Sequence, residues 1–339
     1  MQVLVSTKKE REAERGRARR GRSARPSLGS PSPLATIVRQ RYLLVLVIPA
    51  VIWMIIFNYV PMLGLVISFQ NYDPFLGPLQ GFTQSPWAGL QHFRDAFTDR
   101  YFLHALWNTI TYSLLKLVFG FPIPIIFALL LNEMVTLPFK RFVQTVSYLP
   151  HFISWVFVTA FLYVILATDD GIVNNVLLKL GLIRKSILFL ASEGYVPSLV
   201  VASHVWKSFG WNSIIYIAAI SAIDPALYEA AEIDGARRFT RIWHITLPSI
   251  KSTIVILLIF NVAGLISANF EFFEQMYLLS NAIIHDATDI IDTFTYRMGI
   301  QLARYSYGAA VGMFRSVAAV ILLTIANYSA KKLTGESLY

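Results

Sequence analysis

The sequence predicts an all-α integral membrane protein with about six transmembrane helices, and three observations predict it. Of its 339 residues, 55% are hydrophobic and only 14% charged, with a mean hydropathy of +0.55. Soluble domains carry about 25% charged residues, so much of this surface must meet something other than water. Mainly apolar runs, each reaching the roughly 20 residues that a helical crossing needs, recur along the chain. Lys and Arg gather in alternate connections between these runs, as they do on the cytoplasmic side of a membrane protein.

The elements follow in order. Residues 1–40 form a basic tail. Through residue 41 the chain holds eleven Lys and Arg against three Glu, with Ser, Gly and Pro between them and few aromatics. Such a segment is expected to be disordered. An Arg-rich tail could bind nucleic acid, but basic residues beside a first span also hold that side in the cytoplasm, and that is the reading adopted. The first apolar run starts only near Tyr42 and is longer than a signal-peptide core. The expected spans are 42–69, 103–132, 142–167, 195–223, 245–280 and 305–330. The fifth is too long for one simple crossing and is expected to bend or to extend beyond the bilayer. Pro49, Pro61, Pro122, Pro124 and Pro150 lie inside these runs, as kinked membrane helices allow. Residues 41–332 read as one transmembrane domain, and 333–339 as a short cytoplasmic end. With the N-terminus inside, the inner segments hold nineteen Lys and Arg and the outer loops seven. Cysteine is absent, which excludes disulfides and thiolate metal sites.

The inner loop 222–250 carries the strongest signal. Asp224 followed by Pro225 reads as a helix N-cap with Pro at the first helical position. A short helix is expected over 225–234, with Ala226, Leu227, Ala230 and Ala231 near one small-sided face. Gly235 permits a backbone turn there. Arg237, Arg238 and Arg241 follow, and Leu247-Pro248 opens the next span. Periodicity alone favours an ordinary amphipathic helix at the membrane surface.

The residue pattern adds to this. Glu229-Ala230-Ala231, Asp234-Gly235-Ala236, then Ile245, Leu247 and Pro248 resemble the EAA motif of permease subunits of binding-protein-dependent ABC importers. Three further stretches resemble the carbohydrate-uptake branch, its oligosaccharide and polysaccharide type: NYVPMLGLVISFQNYDPFLG at 58–77, SYLPHFISWV at 147–156 and DIIDTFTYRMGIQLARYSYGAAVGMFRSV at 289–317. The resemblance covers nearly everything after residue 40. It implies the type I importer permease fold in the bacterial inner membrane, with both termini cytoplasmic. It also implies that residues 225–240 form a coupling helix seated in a cytoplasmic ATPase. Glu229, Ala230, Ala231, Asp234, Gly235, Arg237 and Arg238 are then the coupling residues. The implied partners are a second, related permease, two copies of the ATPase and an extracytoplasmic sugar-binding protein that delivers an oligosaccharide.

No G-x-x-x-x-G-K-[ST] phosphate loop occurs, so ATP and Mg would be used by the partner ATPase, and no cofactor is expected on this chain. The six His residues show no metal-ligand spacing. Asp169-Asp170-Gly171 could hold a metal in an enzyme acting on lipid-linked sugars, but it reads as a solvated turn. That membrane enzyme, and a permease of the same superfamily for another solute, are the alternatives.

Charged residues inside spans are costly and mark paths or partner helices. They are Lys116, Lys207, Glu271, Glu274 and Arg315. Glu271 and Glu274 share a helix face. Arg315 lies on the side of Gly308 and Gly312, where another helix could approach closely, and it could equally serve an interhelical ion pair. Trp155, Trp206, Phe209, Trp211, Phe270, Phe272 and Phe273 are candidate sugar-stacking rings, although helix packing and interface belts use aromatics as well. The proposed substrate path is Lys116, Lys207, Trp211, Phe270, Glu271, Glu274 and Arg315. The three cations suggest an acidic oligosaccharide, such as uronic-acid chains of the alginate type.

Overall fold

The computed structural model describes residues 41–335, 337 and 338. The tail expected over 1–40 lies outside them, as do two positions of the C-terminal end. The chain divides into two units, one ending at Leu63 and the other running from Gly64 onward.

In the first unit, α1 (Arg41–Met54) runs into a π turn over Ile55–Tyr59 and a last helical turn over Val60–Leu63. The π turn stands just before Pro61, whose missing N–H interrupts the regular ladder. Apolar side chains such as Leu46, Trp53 and Phe57 are exposed along it, as on a helix solvated by lipid.

The second unit is built from α2 (Arg100–Gly120), α3 (Pro122–Asn132), α4 (Leu137–Tyr148), α5 (Trp155–Ile165), α6 (Val196–Ser221), α7 (Pro225–Ile233), α8 (Arg238–Arg241), α9 (Lys251–Ala263), α10 (Phe270–Leu279), α11 (Ile291–Tyr296) and α12 (Tyr305–Thr334). Three stretches are long and apolar enough to cross a membrane alone: Val45–Phe69, Arg100–Asn132 and Tyr305–Thr334. Three more arise if each bent pair counts as one span. The third expected span is such a pair, with Leu137–Phe152 and Trp155–Ile165 meeting at 98°. Pro150 lies at this break, where the helix tightens to a 3₁₀ turn. Asp169 and Asp170 lie in a turn.

The fifth expected span, 245–280, is two helices. Helix α9 ends at Ala263, and α10 begins at Phe270, where the Asn269 side chain accepts a hydrogen bond from Phe272 N–H at 3.1 Å. Between them, 264–269 is non-helical. Irregular backbone at membrane depth persists only where protein covers it or where it lines a water-filled cavity, and Gly264, Leu265 and Asn269 of this break line a cavity.

Three apolar clusters hold the unit. Ile125, Ala128 and Leu129 of α3 pack with Tyr216 and Ile220 of α6 and with Ile250. Phe102 and Ala105 of α2 meet Ile291, Phe294, Tyr307 and Val311. Tyr112 joins Val196 and Val200 to Phe272, Met276 and Leu279 of α10. Helix α6 comes close to the 147–152 segment because Gly210 has no side chain; a Cβ there would collide with the Ser147 carbonyl. The serines on the buried face of α6 return to their own helix, as Ser208 Oγ does to the His204 carbonyl at 2.6 Å, so they enter the core satisfied.

Candidate coupling site and polar cavity

The inner loop folds as local chemistry dictates. The Asp224 carboxylate accepts from Ala226 N–H at 2.9 Å and caps α7. The helix ends at Ile233, one residue before the expected limit. Gly235 then takes φ +74°, with Gly235 N–H donating to Glu232 O and Ala236 N–H to Ala231 O at 3.0 and 2.9 Å. This paired closure at a left-handed glycine satisfies carbonyls that the helix end would leave orphaned. The chain turns back through α8 into a π turn over Ile242–Thr246 that stands before Pro248. Tyr228 and Thr246 share a hydrogen bond at 2.9 Å, tying α7 to the next span.

Among the expected coupling residues, Glu229, Ala230, Asp234, Gly235, Arg237 and Arg238 are exposed, and Ala231 is half-buried. Helix α7 is bent 71° from α6. Ile233, Phe239 and Trp243 are large apolar side chains left open beside it, Ile233 being 88% exposed. The loop offers a small-sided helix and open apolar groups, which is what a docking surface requires. It is also attached to a neighbouring loop: Glu133 lies 3.9 Å from Arg238 and 4.0 Å from Arg241, and Arg241 reaches Glu232 at 3.5 Å. Sequence reading overlooked Glu133. Its only signal is an acid ending an apolar run, facing an arginine cluster.

The cavity marked by the broken fifth span holds about 340 Å³ and is lined by Ser113, Lys116, His204, Asn212, Asn261, Asn269 and Glu271. Lys116 Nζ donates to Gln275 Oε1 at 2.8 Å and sits 3.4 Å above the Phe272 ring centroid. Among the described residues no carboxylate lies within ion-pair distance of it. Its cationic form is supported by an amide and an aromatic face, and Glu271 lines the same cavity. Gln275 is wholly buried and donates to Val200 O and Ser203 Oγ at 2.8 and 2.9 Å. The amide thus fixes Lys116 between α2, α6 and α10. Nothing in the residue pattern signals that a glutamine orients the lysine.

The other expected path residues are distributed differently. Lys207 is buried and donates to the His151 carbonyl at 2.8 Å, with the Trp155 ring 5.6 Å away. It therefore binds a carbonyl at the 98° break. Trp211 stacks on His151, with centroids 4.5 Å apart and planes 5° from parallel. Phe270 lines a second cavity of about 680 Å³ with Phe273, Tyr296, Tyr305, Asp292 and Arg315. Phe273 stacks on Tyr277 at 5.3 Å, and Glu274, on the same open face of α10, is half-buried.

Arg315, expected along an anion-tolerant path, is engaged by Asp292. Its two terminal nitrogens meet the two carboxylate oxygens at 2.6 and 3.0 Å, and Nε donates to Ile266 O at 3.0 Å. This bidentate pair joins α12 to α11 and to the 264–269 break, and its positive charge is compensated in place. Breaking one partner of a buried pair costs about 3–5 kcal/mol. Asp292→Asn is therefore expected to lower the unfolding temperature of the detergent-solubilised protein sharply, and Arg315→Met with Asp292→Leu to recover much of the loss. An Asp292→Asn protein as stable as the parent would show that the pair does not hold these helices.

A polar cavity lying among helices long and apolar enough to cross a membrane is what a transport subunit requires. The chain belongs to the family described as binding-protein-dependent transport system inner membrane component, which matches residues 120–334. It is 44% identical to the polygalacturonan/rhamnogalacturonan transport system permease protein YteP of Bacillus subtilis (strain 168), over 90% of this chain and 92% of that one. It also resembles a chain in the crystal structure of a bacterial ABC transporter involved in the import of the acidic polysaccharide alginate. That likeness has a TM-score of 0.79 and 38% identity, covering 88% of this chain and 98% of that one. A second structure of a bacterial alginate ABC transporter, in complex with an alginate pentasaccharide-bound periplasmic protein, matches with a TM-score of 0.78 and 36% identity over 89% and 98%. The chain is accordingly a multi-pass permease subunit of an ABC transporter and not an enzyme.

Proposed function

We propose that this permease imports acidic oligosaccharides across the bacterial inner membrane, with both termini cytoplasmic. A cytoplasmic ATPase, in two copies per transporter, docks on α7 and drives alternating access. A second, related permease completes the channel, and an extracytoplasmic binding protein delivers the sugar. Glu229, Ala230, Ala231, Asp234, Gly235, Arg237 and Arg238 form the contact with the ATPase, which uses ATP and Mg. The observation that carries the acidic substrate is Lys116, which no carboxylate among the described residues meets within ion-pair distance and which faces a cavity lined by three asparagines and by Glu271. A buried charge is retained only where something answers it; Glu271 answers Lys116 from across the cavity, and a carboxylate of the sugar would answer it at closer range. Asn212, Asn261 and Asn269 offer donors and acceptors for hydroxyls. The open aromatic face of α10, with Phe270, Phe273 and Tyr277, offers ring faces for stacking. The similarity to a polygalacturonan/rhamnogalacturonan permease and to an alginate transporter supports this reading.

The test is ATP hydrolysis by the complex in lipid, with its binding protein, across a panel of acidic and neutral oligosaccharides. Stimulation by acidic chains is expected. Stimulation by neutral chains alone would keep the importer and discard the acidic substrate. Stimulation by neither would favour a permease for another solute.

A further inference from the structure

We infer that Glu133 is a positioning residue of the coupling apparatus, through which the inner loop 222–250 grips the cavity wall that carries Lys116. This rests on the importer reading above. The inner loop is covalently continuous with two walls of the cavity: α6, which bears His204 and Asn212, and α9, which bears Asn261. The wall that bears Ser113 and Lys116 is α2, which has no such connection. It is continuous instead with α3, as the single stretch Arg100–Asn132. Glu133 stands at the inner end of that stretch, in the cap position of α3, its backbone N–H bonded to Leu129 O.

From there its carboxylate meets two arginines of the coupling segment, Arg238 at 3.9 Å and Arg241 at 4.0 Å. Glu133 and Arg241 are both largely shielded, with 17% and 19% of their side chains accessible, whereas Arg238 is 63% accessible. Arg241 is the stronger partner for that reason, since exposed pairs contribute little. Arg241 also holds Glu232 of α7 at 3.5 Å. One guanidinium thus stands between a carboxylate of the docking helix and a carboxylate at the foot of the Lys116 wall. Helices α3 and α6 also share an apolar contact through Ile125, Ala128, Leu129, Tyr216 and Ile220. The apolar contact joins α3 to α6, while the charged contact joins the end of α3 to the coupling segment itself. A push on α7 therefore reaches α2 in step with α6 and α9.

The test uses the complete transporter in lipid with its binding protein. Glu133→Gln keeps the shape and removes the charge. The solute accumulated per ATP hydrolysed is expected to fall roughly three- to fivefold, the scale of a partly shielded ion pair, with the ATPase still co-purifying. An unchanged ratio would overturn the inference. Loss of co-purification would also overturn it, because Glu133 would then be holding the docking surface together and not transmitting motion. The absence of cysteine permits a second variant, Glu133→Cys with Arg241→Cys, bridged by a short bis-maleimide. Cross-linking is expected to raise the ratio above that of the unbridged pair, and a bridge that leaves it unchanged would sink the proposal. A parent complex whose ATP hydrolysis no oligosaccharide stimulates would remove the importer reading itself.

Discussion

Gly235→Leu is expected to lower solute transport about tenfold while ATP hydrolysis continues. Gly235 sits at φ +74°, and a Cβ built there meets nothing within 4 Å. The penalty is therefore conformational: the left-handed region costs an L-residue about 1–2 kcal/mol, and each 1.4 kcal/mol is a factor of about ten. A leucine would drive the turn to another conformation, lose the two closing hydrogen bonds and re-aim α8 relative to α7. Asparagine tolerates this region better than other residues with a Cβ, so Gly235→Asn should retain much of the transport. Transport and hydrolysis measured together in vesicles check this. If Gly235→Leu and Gly235→Asn transport equally well, the turn does not set the geometry of coupling.

Lys116→Met should reduce uptake of an acidic oligosaccharide at least tenfold and that of a neutral one far less. A unit charge about 4 Å from a carboxylate is worth about 4 kcal/mol at an effective dielectric near 20, which leaves room for a loss well beyond tenfold. Gln275 would lose the donor at its Oε1, but its amide would keep its bonds to Val200 and Ser203, so the wall should stand. Lys116→Arg keeps the charge and should keep part of the selectivity. Competitive uptake of labelled acidic and neutral chains decides the matter. Equal losses for both would return Lys116 to a packing role.

Much of the fold is legible in the sequence because lipid makes strict demands. Apolar length and the sidedness of Lys and Arg mark the crossings, and the capping residues Asp224, Pro225 and Gly235 mark the short inner helix. These are local signals, each decided by neighbouring residues. The excess length of 245–280 signals a break, but only the structure places it at 264–269. The 98° turn at 153–154 is less legible, because Pro150 signals a kink without giving its angle. Pairings across the chain are not legible at all. Arg315 can be recognised as costly, but its answer is Asp292, which lies between two expected spans and carries no mark of its partner. Lys116, Lys207 and Arg315 look alike as cations in apolar runs. They part company only in three dimensions, where one meets a carboxylate, one a backbone carbonyl and one a glutamine amide beside open space.

The Arg315–Asp292 pair also bears on how the protein is made. An arginine near the middle of a membrane helix costs about 2.5–3.5 kcal/mol at insertion. Asp292 precedes Arg315 in the chain and emerges earlier from the ribosome, so the counter-ion is in place before the last helix needs it. Partition of the final helix into the bilayer is then expected to depend on a residue already synthesised, so that Asp292→Asn should hinder insertion of this helix as well as weaken the folded protein.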